Sequence, residues 1–298
     1  MEHGLESDRL PYHAPEIPRD LKRAVEEETR ARPPELRESP LLASTTYVIQ
    51  PQSLPREHMD PEVLIAVLRH LFRVKFKESD VPSASDAASK ITYLIEHNRT
   101  VNFENGMFEY GEVDDNRRRT PVARIHLTHE AVGAAVVGST LEATWVAKRV
   151  AEAVWEATGV SQRWADFQAA VQYVGYQTQS SVDLGGPLER VLSRSFRDFL
   201  RAELESPQSK GTRMGRTPVD AGERAAVSPD VLILGLERVE LKLVQFTTLT
   251  GREETCKVRL FVTSKDHYRR GIVVVESELP SAEHTAFVVS LRDSLTGS

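Results

Sequence analysis

The chain is poor in the features that usually announce an activity. Of 298 residues only Cys256 is a cysteine, so no intrachain disulfide forms, and that count suits a reducing cytosol. No stretch approaches the roughly 20 apolar residues of a membrane span. Met1 to Pro11 is polar and charged, unlike a signal peptide, and the chain reads as cytoplasmic with no membrane role. Excess positive charge is missing too: 38 Lys and Arg stand against 44 Asp and Glu, a net charge of -6. No global field draws in nucleic acid, and such a partner would have to meet a local patch. Gly185-Gly186-Pro187 lacks the lysine and spacing of a phosphate-cradling loop. The Gly-x-Ser-x-Gly elbow of many serine hydrolases does not occur.

What is present is a core-forming chain with extra polar surface, 40% apolar and 28% charged. Its length suits one large domain or two ordinary ones. Residues 1–58 differ from the rest, because half of the 16 prolines fall there. This segment reads as an extended or disordered arm. It holds one charged helix at Arg19 to Arg30 and one lone strand, Ser44 to Gln50. Its apolar islands, Leu41, Leu42, Tyr47, Val48 and Ile49, are candidates for docking on a neighbouring subunit.

Residues 59–205 read as an α+β region. Asp60-Pro61 is a helix start, an N-cap acid followed by proline at the first helical position. A second helix spans about Ser83 to His97, and a polar loop with Asp114-Asp115 and Arg117-Arg118-Arg119 follows. Val122 to Thr128 and Ala131 to Val137 form a hairpin. Ser139 or Thr140 caps a helix that Gly159 closes. Phe167 to Gln177 reads as a long strand, and Gly185-Gly186-Pro187 opens another helix.

Residues 206–228 are a flexible basic loop. With Arg190, Arg194 and Arg197 on the preceding helix, its Lys210, Arg213 and Arg216 make the best local cationic surface, a candidate anion-binding patch. Residues 229–298 alternate as an antiparallel meander, with a turn at Asp266–Arg270 and a last helix capped by Ser281. They are expected to pack with 59–205 as one domain. The fold class is α+β, a two-layer sandwich of antiparallel sheet covered by helices and preceded by the Pro-rich arm.

One pattern points to chemistry. Pro229-Asp230 precedes Glu240-Leu241-Lys242, with the acid and the Glu-x-Lys on neighbouring strands of a hairpin. Glu240 and Lys242, two apart, share a strand face. The set resembles the PD-(D/E)xK nucleases over roughly residues 186–245. The resemblance implies Asp230 and Glu240 as Mg²⁺ ligands, Lys242 as the group that orients the attacking water, and Glu189 as the acid on the preceding helix. In that family a helix follows the Glu-x-Lys strand, whereas Val244 to Lys257 here reads as strand, turn and strand. An amphipathic hairpin accounts for the same letters. His126 and His129, three apart on a strand, face opposite sides and do not converge on a metal.

The favoured expectation is a non-catalytic α+β subunit that assembles with a protein partner, or with its own copies, through the arm and the sheet edges. The alternative is a Mg²⁺-dependent nuclease using Asp230, Glu240, Lys242 and Glu189. No cofactor is expected unless that alternative holds.

Overall fold

A computed structural model describes residues 19–33, 40–50, 58–77, 86–110, 118–159, 169–184, 239–245 and 254–296. Helix α1 is Arg19–Ala31 and strand β1 is Leu42–Ile49. Helix α2 (Pro61–Phe72) starts where Asp60 Oδ1 accepts from the N–H groups of Glu62 and Val63 at 2.9 and 3.3 Å. A two-residue strand β2 (Lys75–Phe76) precedes helix α3 (Ala87–Glu96), which Asp86 caps. Strands β3 (Val101–Tyr110), β4 (Arg118–Leu127) and β5 (Ala131–Val137) lead into helix α4 (Thr140–Thr158). Ser139 and Glu142 close a capping box at its start, and Gly159, at φ 67°, ends it in the left-handed conformation that glycine adopts without strain. Then come β6 (Val171–Asp183), β7 (Val239–Gln245), β8 (Glu254–Phe261), short helix α5 (Lys265–Arg270), β9 (Ile272–Ser277) and helix α6 (Ser281–Thr296).

The strands make one nine-stranded sheet, in the order β2-β3-β4-β5-β1-β6-β9-β8-β7, antiparallel at every described pairing. The described helices cover one face: α4 packs across β5 and β1, α2 on α4 and β3, and α6 against β6. Antiparallel helix-covered sheet is the α+β arrangement expected above. No helix among the described residues is long and apolar enough to cross a membrane.

Two apolar cores lie under these helices. The larger has Phe108 between Tyr110 and Trp145, with ring centroids 4.8 and 4.5 Å away. The smaller joins Val182, Val258, Val273, Val275 and Val288 under α6. Between them runs a seam of buried hydroxyls. Thr140 N donates to Ser281 Oγ at 3.0 Å, and Ser281 N to Thr140 Oγ1 at 3.1 Å, so the starts of α4 and α6 cap one another. Thr45 Oγ1 meets Thr144 Oγ1 at 3.0 Å, and Thr178 Oγ1 donates to Leu279 O at 2.7 Å. Each buried polar group in this seam has a partner, so the join costs little desolvation.

Several expectations need correction. The strand read as Ser44 to Gln50 is not a lone piece of arm. It is β1, the strand between β5 and β6. Leu41, Tyr47 and Ile49 are buried in the chain's own fold, Val48 is half-buried, and of the five proposed docking residues only Leu42 is substantially exposed, at 39%. Proline density around the segment hid a strand whose partners, Ala131 to Val137 and Val171 to Gln179, lie far away in sequence.

The polar loop after α3 contains β3. Asn105, at φ 58°, interrupts its alternation, so Phe103 and Phe108 both point into the core although five residues apart. The strand read as Phe167 to Gln177 lies further on, at Val171–Asp183. Its second half is polar in sequence because Thr178 and Ser180 face the hydroxyl seam. The turn at Asp266–Arg270 is helix α5.

Gly106 shows how tightly β3 is closed. A Cβ there would meet Phe72 O at 2.6 Å and run into the Val74 side chain. Gly106→Ala is expected to destabilise the fold by roughly 2–3 kcal/mol, because backbone and a buried valine must both shift. Denaturant unfolding checks this; a midpoint equal to wild type contradicts it.

Candidate functional site

The most distinctive surface feature is a gap in the sheet. β6 pairs with β1 along most of its length, from Val171 to Gln179. On its other side β9 pairs with it only from Thr178 to Asp183. β9 stops because the chain turns inward after Ser277. Leu279 is buried in the smaller core, its carbonyl is held by Thr178, and Pro280 has no N–H for a ladder. Residues 171–177 therefore have no strand on that side among the described residues.

Across the gap stands the start of β8. β9 pairs with β8 from Val258 to Phe261, and the last link is Glu278 N to Lys257 O at 3.2 Å. The space between holds about 250 Å³ and is lined by Tyr173, Gly175, Tyr176 and Gln177 on one wall. Lys257, Arg259, Glu276, Ser277 and Glu278 make the other. Tyr173 is the most exposed large apolar side chain described, at 62%. Gly175 sits beside it, and a Cβ there would come within 3.2 Å of the Tyr173 ring. A glycine inside a strand marks a place where another group approaches the backbone.

The charged wall is balanced. Arg259 Nη1 meets Glu276 Oε1 at 2.7 Å, and Glu278 Oε2 accepts from the Lys257 N–H at 3.2 Å. Behind the wall, α6 carries a buried histidine. His284 Nδ1 is 2.7 Å from Ser277 Oγ, and Nε2 is 2.7 Å from Ser180 Oγ. Burial, with a smaller push from the Arg32 charge, lowers the His284 pKa to about 4. His126, on the face away from the described helices beside Thr46 Oγ1 at 3.5 Å, is lowered to about 4 by burial and then by Arg124.

Both shifts make stability depend on pH in one direction. The unfolded imidazole takes up its proton near its ordinary value, and the folded one resists until about pH 4. Stability from each is complete above the unfolded pKa and lost as pH falls toward 4. At roughly 1.4 kcal/mol per pH unit, each histidine accounts for about 3 kcal/mol. Wild type is expected to lose stability steeply between pH 7 and pH 4. His284→Gln and His126→Gln should each flatten that slope by about half in denaturant titrations, and an unchanged slope contradicts the assignment.

The residues singled out in the sequence fall in several places. Glu240 and Lys242 lie on β7, opposite Arg259 and Lys257 of β8, so their register is that of the charged wall. Asp230 and Glu189 lie outside the described residues, as do Arg190, Arg194, Arg197, Lys210, Arg213 and Arg216. Among the described residues no group of three His, Cys, Asp or Glu is placed to hold a metal. His129 pairs with the Glu130 carboxylate at 2.9 Å, and His126 with Thr46.

Sequence reasoning missed the gap. Its one local signal is Gln-Tyr-Val-Gly-Tyr-Gln at 172–177, an exposed tyrosine and a glycine within a strand.

No family model matches the chain, and no curated protein does. Among solved structures, the di-domain ARO/CYC StfQ from the steffimycin biosynthetic pathway aligns over 86% of this chain and 98% of its own. The identity is 9% and the TM-score 0.16, too slight a likeness to carry an argument.

Proposed function

We propose that the chain is a non-catalytic binding subunit that assembles with other proteins through the side of its sheet facing away from the described helices. The observation that carries this is Tyr173, 62% exposed at a strand edge that has no strand neighbour among the described residues. Open edges and exposed aromatics are what protein partners use. Leu42 and Val137 stand opposite one another on the same side, 39% and 38% exposed, as a second apolar spot six residues along β1 from Val48, which pairs with Tyr173. The assembly role first assigned to the arm passes to this surface, since most of the arm's apolar residues serve the core.

The experiment is selection of short random peptides displayed on phage against the whole chain, in parallel with Tyr173→Ser. The reading expects enriched peptides on wild type that bind the variant at least roughly tenfold more weakly, a loss of about 1.4 kcal/mol. No enrichment on wild type counts against it.

The nuclease reading is the alternative. It rests on Asp230 together with Glu240, and calorimetry with Mn²⁺ decides it. Micromolar binding lost in Glu240→Ala would favour it, and the assembly reading expects none.

A further inference from the structure

The gap beside β6 has the dimensions and chemistry of a strand position. Strands in a sheet lie about 4.8 Å apart. The gap lies on the line that β9 would follow had it continued past Ser277. One wall is the β6 edge at residues 171–177, which bonds β1 on its far side and, among the described residues, no strand on this one. The other wall begins at Lys257, and β8 continues away from it to Glu254 beyond the reach of β9. In an antiparallel ladder, alternate residues turn both N–H and C=O toward the same neighbour. Alternate residues of 171–177 therefore turn those groups into the gap.

At Gly106, β3 is covered by the turn between α2 and β2, which leaves no room for a Cβ beside Phe72 O and Val74. Residues 171–177 of β6 have no such cover among the described residues, and Gln172, Tyr173 and Gln177 are exposed.

We infer that an extended peptide segment of another protein adds as a strand in this gap, bonding its backbone to β6 residues 171–177. This rests on the binding role proposed above and names its mode and its ligand class. A folded surface or a helix cannot satisfy a row of strand-edge N–H and C=O groups; an extended backbone does. Side chains alternate along such a segment. On the side away from the described helices, one lies over Gly175 against the Tyr173 ring, where an aliphatic or aromatic residue fits. Its neighbours on that side reach Lys257 and the carboxylates of Glu276 and Glu278, so charged residues flank the apolar one.

The test uses a peptide selected as above, resynthesised in two forms with backbone N-methylation at alternate residues. A strand presents only every second N–H to β6. The form methylated on the N–H groups that face β6 should lose affinity by roughly tenfold or more, from several blocked bonds of about 1 kcal/mol each, and the form methylated on those facing the shorter β8 wall should lose less. Equal tolerance of both forms, with Tyr173→Ser still weakening binding, overturns strand addition and leaves the binding role standing. Peptides unaffected by Tyr173→Ser overturn the site. Failure to select any peptide overturns the binding role, and this inference with it.

Discussion

Removing residues 1–58 is expected to unfold the protein. The deletion takes β1 from the sheet, where it bonds β5 through Leu42 to Val48 and β6 through Leu42 to Ile49. It also removes Leu41, Tyr47 and Ile49 from the interior. At roughly 1.5–3 kcal/mol for each buried apolar side chain, these three alone account for about 5–9 kcal/mol. Net stabilities are about 5–15 kcal/mol, so little remains before the lost ladder is considered. Two other strands would be left with unpaired edges facing each other across the missing one. Far-ultraviolet circular dichroism with a denaturant titration checks this. Loss of the cooperative transition is expected, and a folded, cooperative core after the deletion would contradict the placement of β1. Leu42→Gln is the control, because Leu42 faces away from the helices, and it should move the midpoint little.

Glu142→Ala should be the most damaging single substitution among the buried polar groups. The Glu142 carboxylate is fully buried at the start of α4. Its Oε1 accepts from Tyr110 Oη at 2.6 Å, Thr120 Oγ1 at 2.5 Å and Arg118 Nε at 3.0 Å. Its Oε2 accepts from the Ser139 N–H at 2.8 Å. The acid thus ties the β3–β4 hairpin to the helix that covers the sheet. Hydrogen bonds to a carboxylate are about twice as strong as neutral ones, which is how an enclosed charge is tolerated here. Alanine leaves four donors without their acceptor, three of them on buried residues. The expected loss is about 3–5 kcal/mol. Tyr110→Phe removes one donor and leaves the carboxylate three, so it should cost only about 1 kcal/mol. Equal losses in the two variants would show that the carboxylate does not act as this hub.

Helix ends were legible in the sequence because their signals are local. Asp60-Pro61, the cap at Ser139 or Thr140 and Gly159 each act within one turn of the residues they mark, and the structure settles the cap on Ser139. Strands were harder, since their reasons lie elsewhere in the chain. β1 looked like arm because its neighbours are prolines, while its partners begin at Ala131 and Val171. β3 was hidden by Asn105, whose left-handed backbone at φ 58° breaks the period of two without shifting the register. The polar half of β6 made sense only once Thr178 and Ser180 met Leu279 and His284. The candidate site was least legible of all. It exists because β9 ends early, and its two walls, around Tyr173 and Lys257, are brought together only by the order of strands in the sheet. The Glu-x-Lys pattern was visible, but its meaning depends on Asp230, outside the described residues.

The measurement that bears most directly on the open β6 edge is amide hydrogen exchange along β6, read residue by residue in the isolated chain. Thr178 and Gln179 lie between two strands, and their amides are expected to exchange slowly. Within 171–177, the amides turned toward β1 should be slow and the alternate ones fast, and the fast ones should slow when a selected peptide is added. Uniform protection across 171–183 in the free chain would mean that the edge is already covered, and would contradict the account.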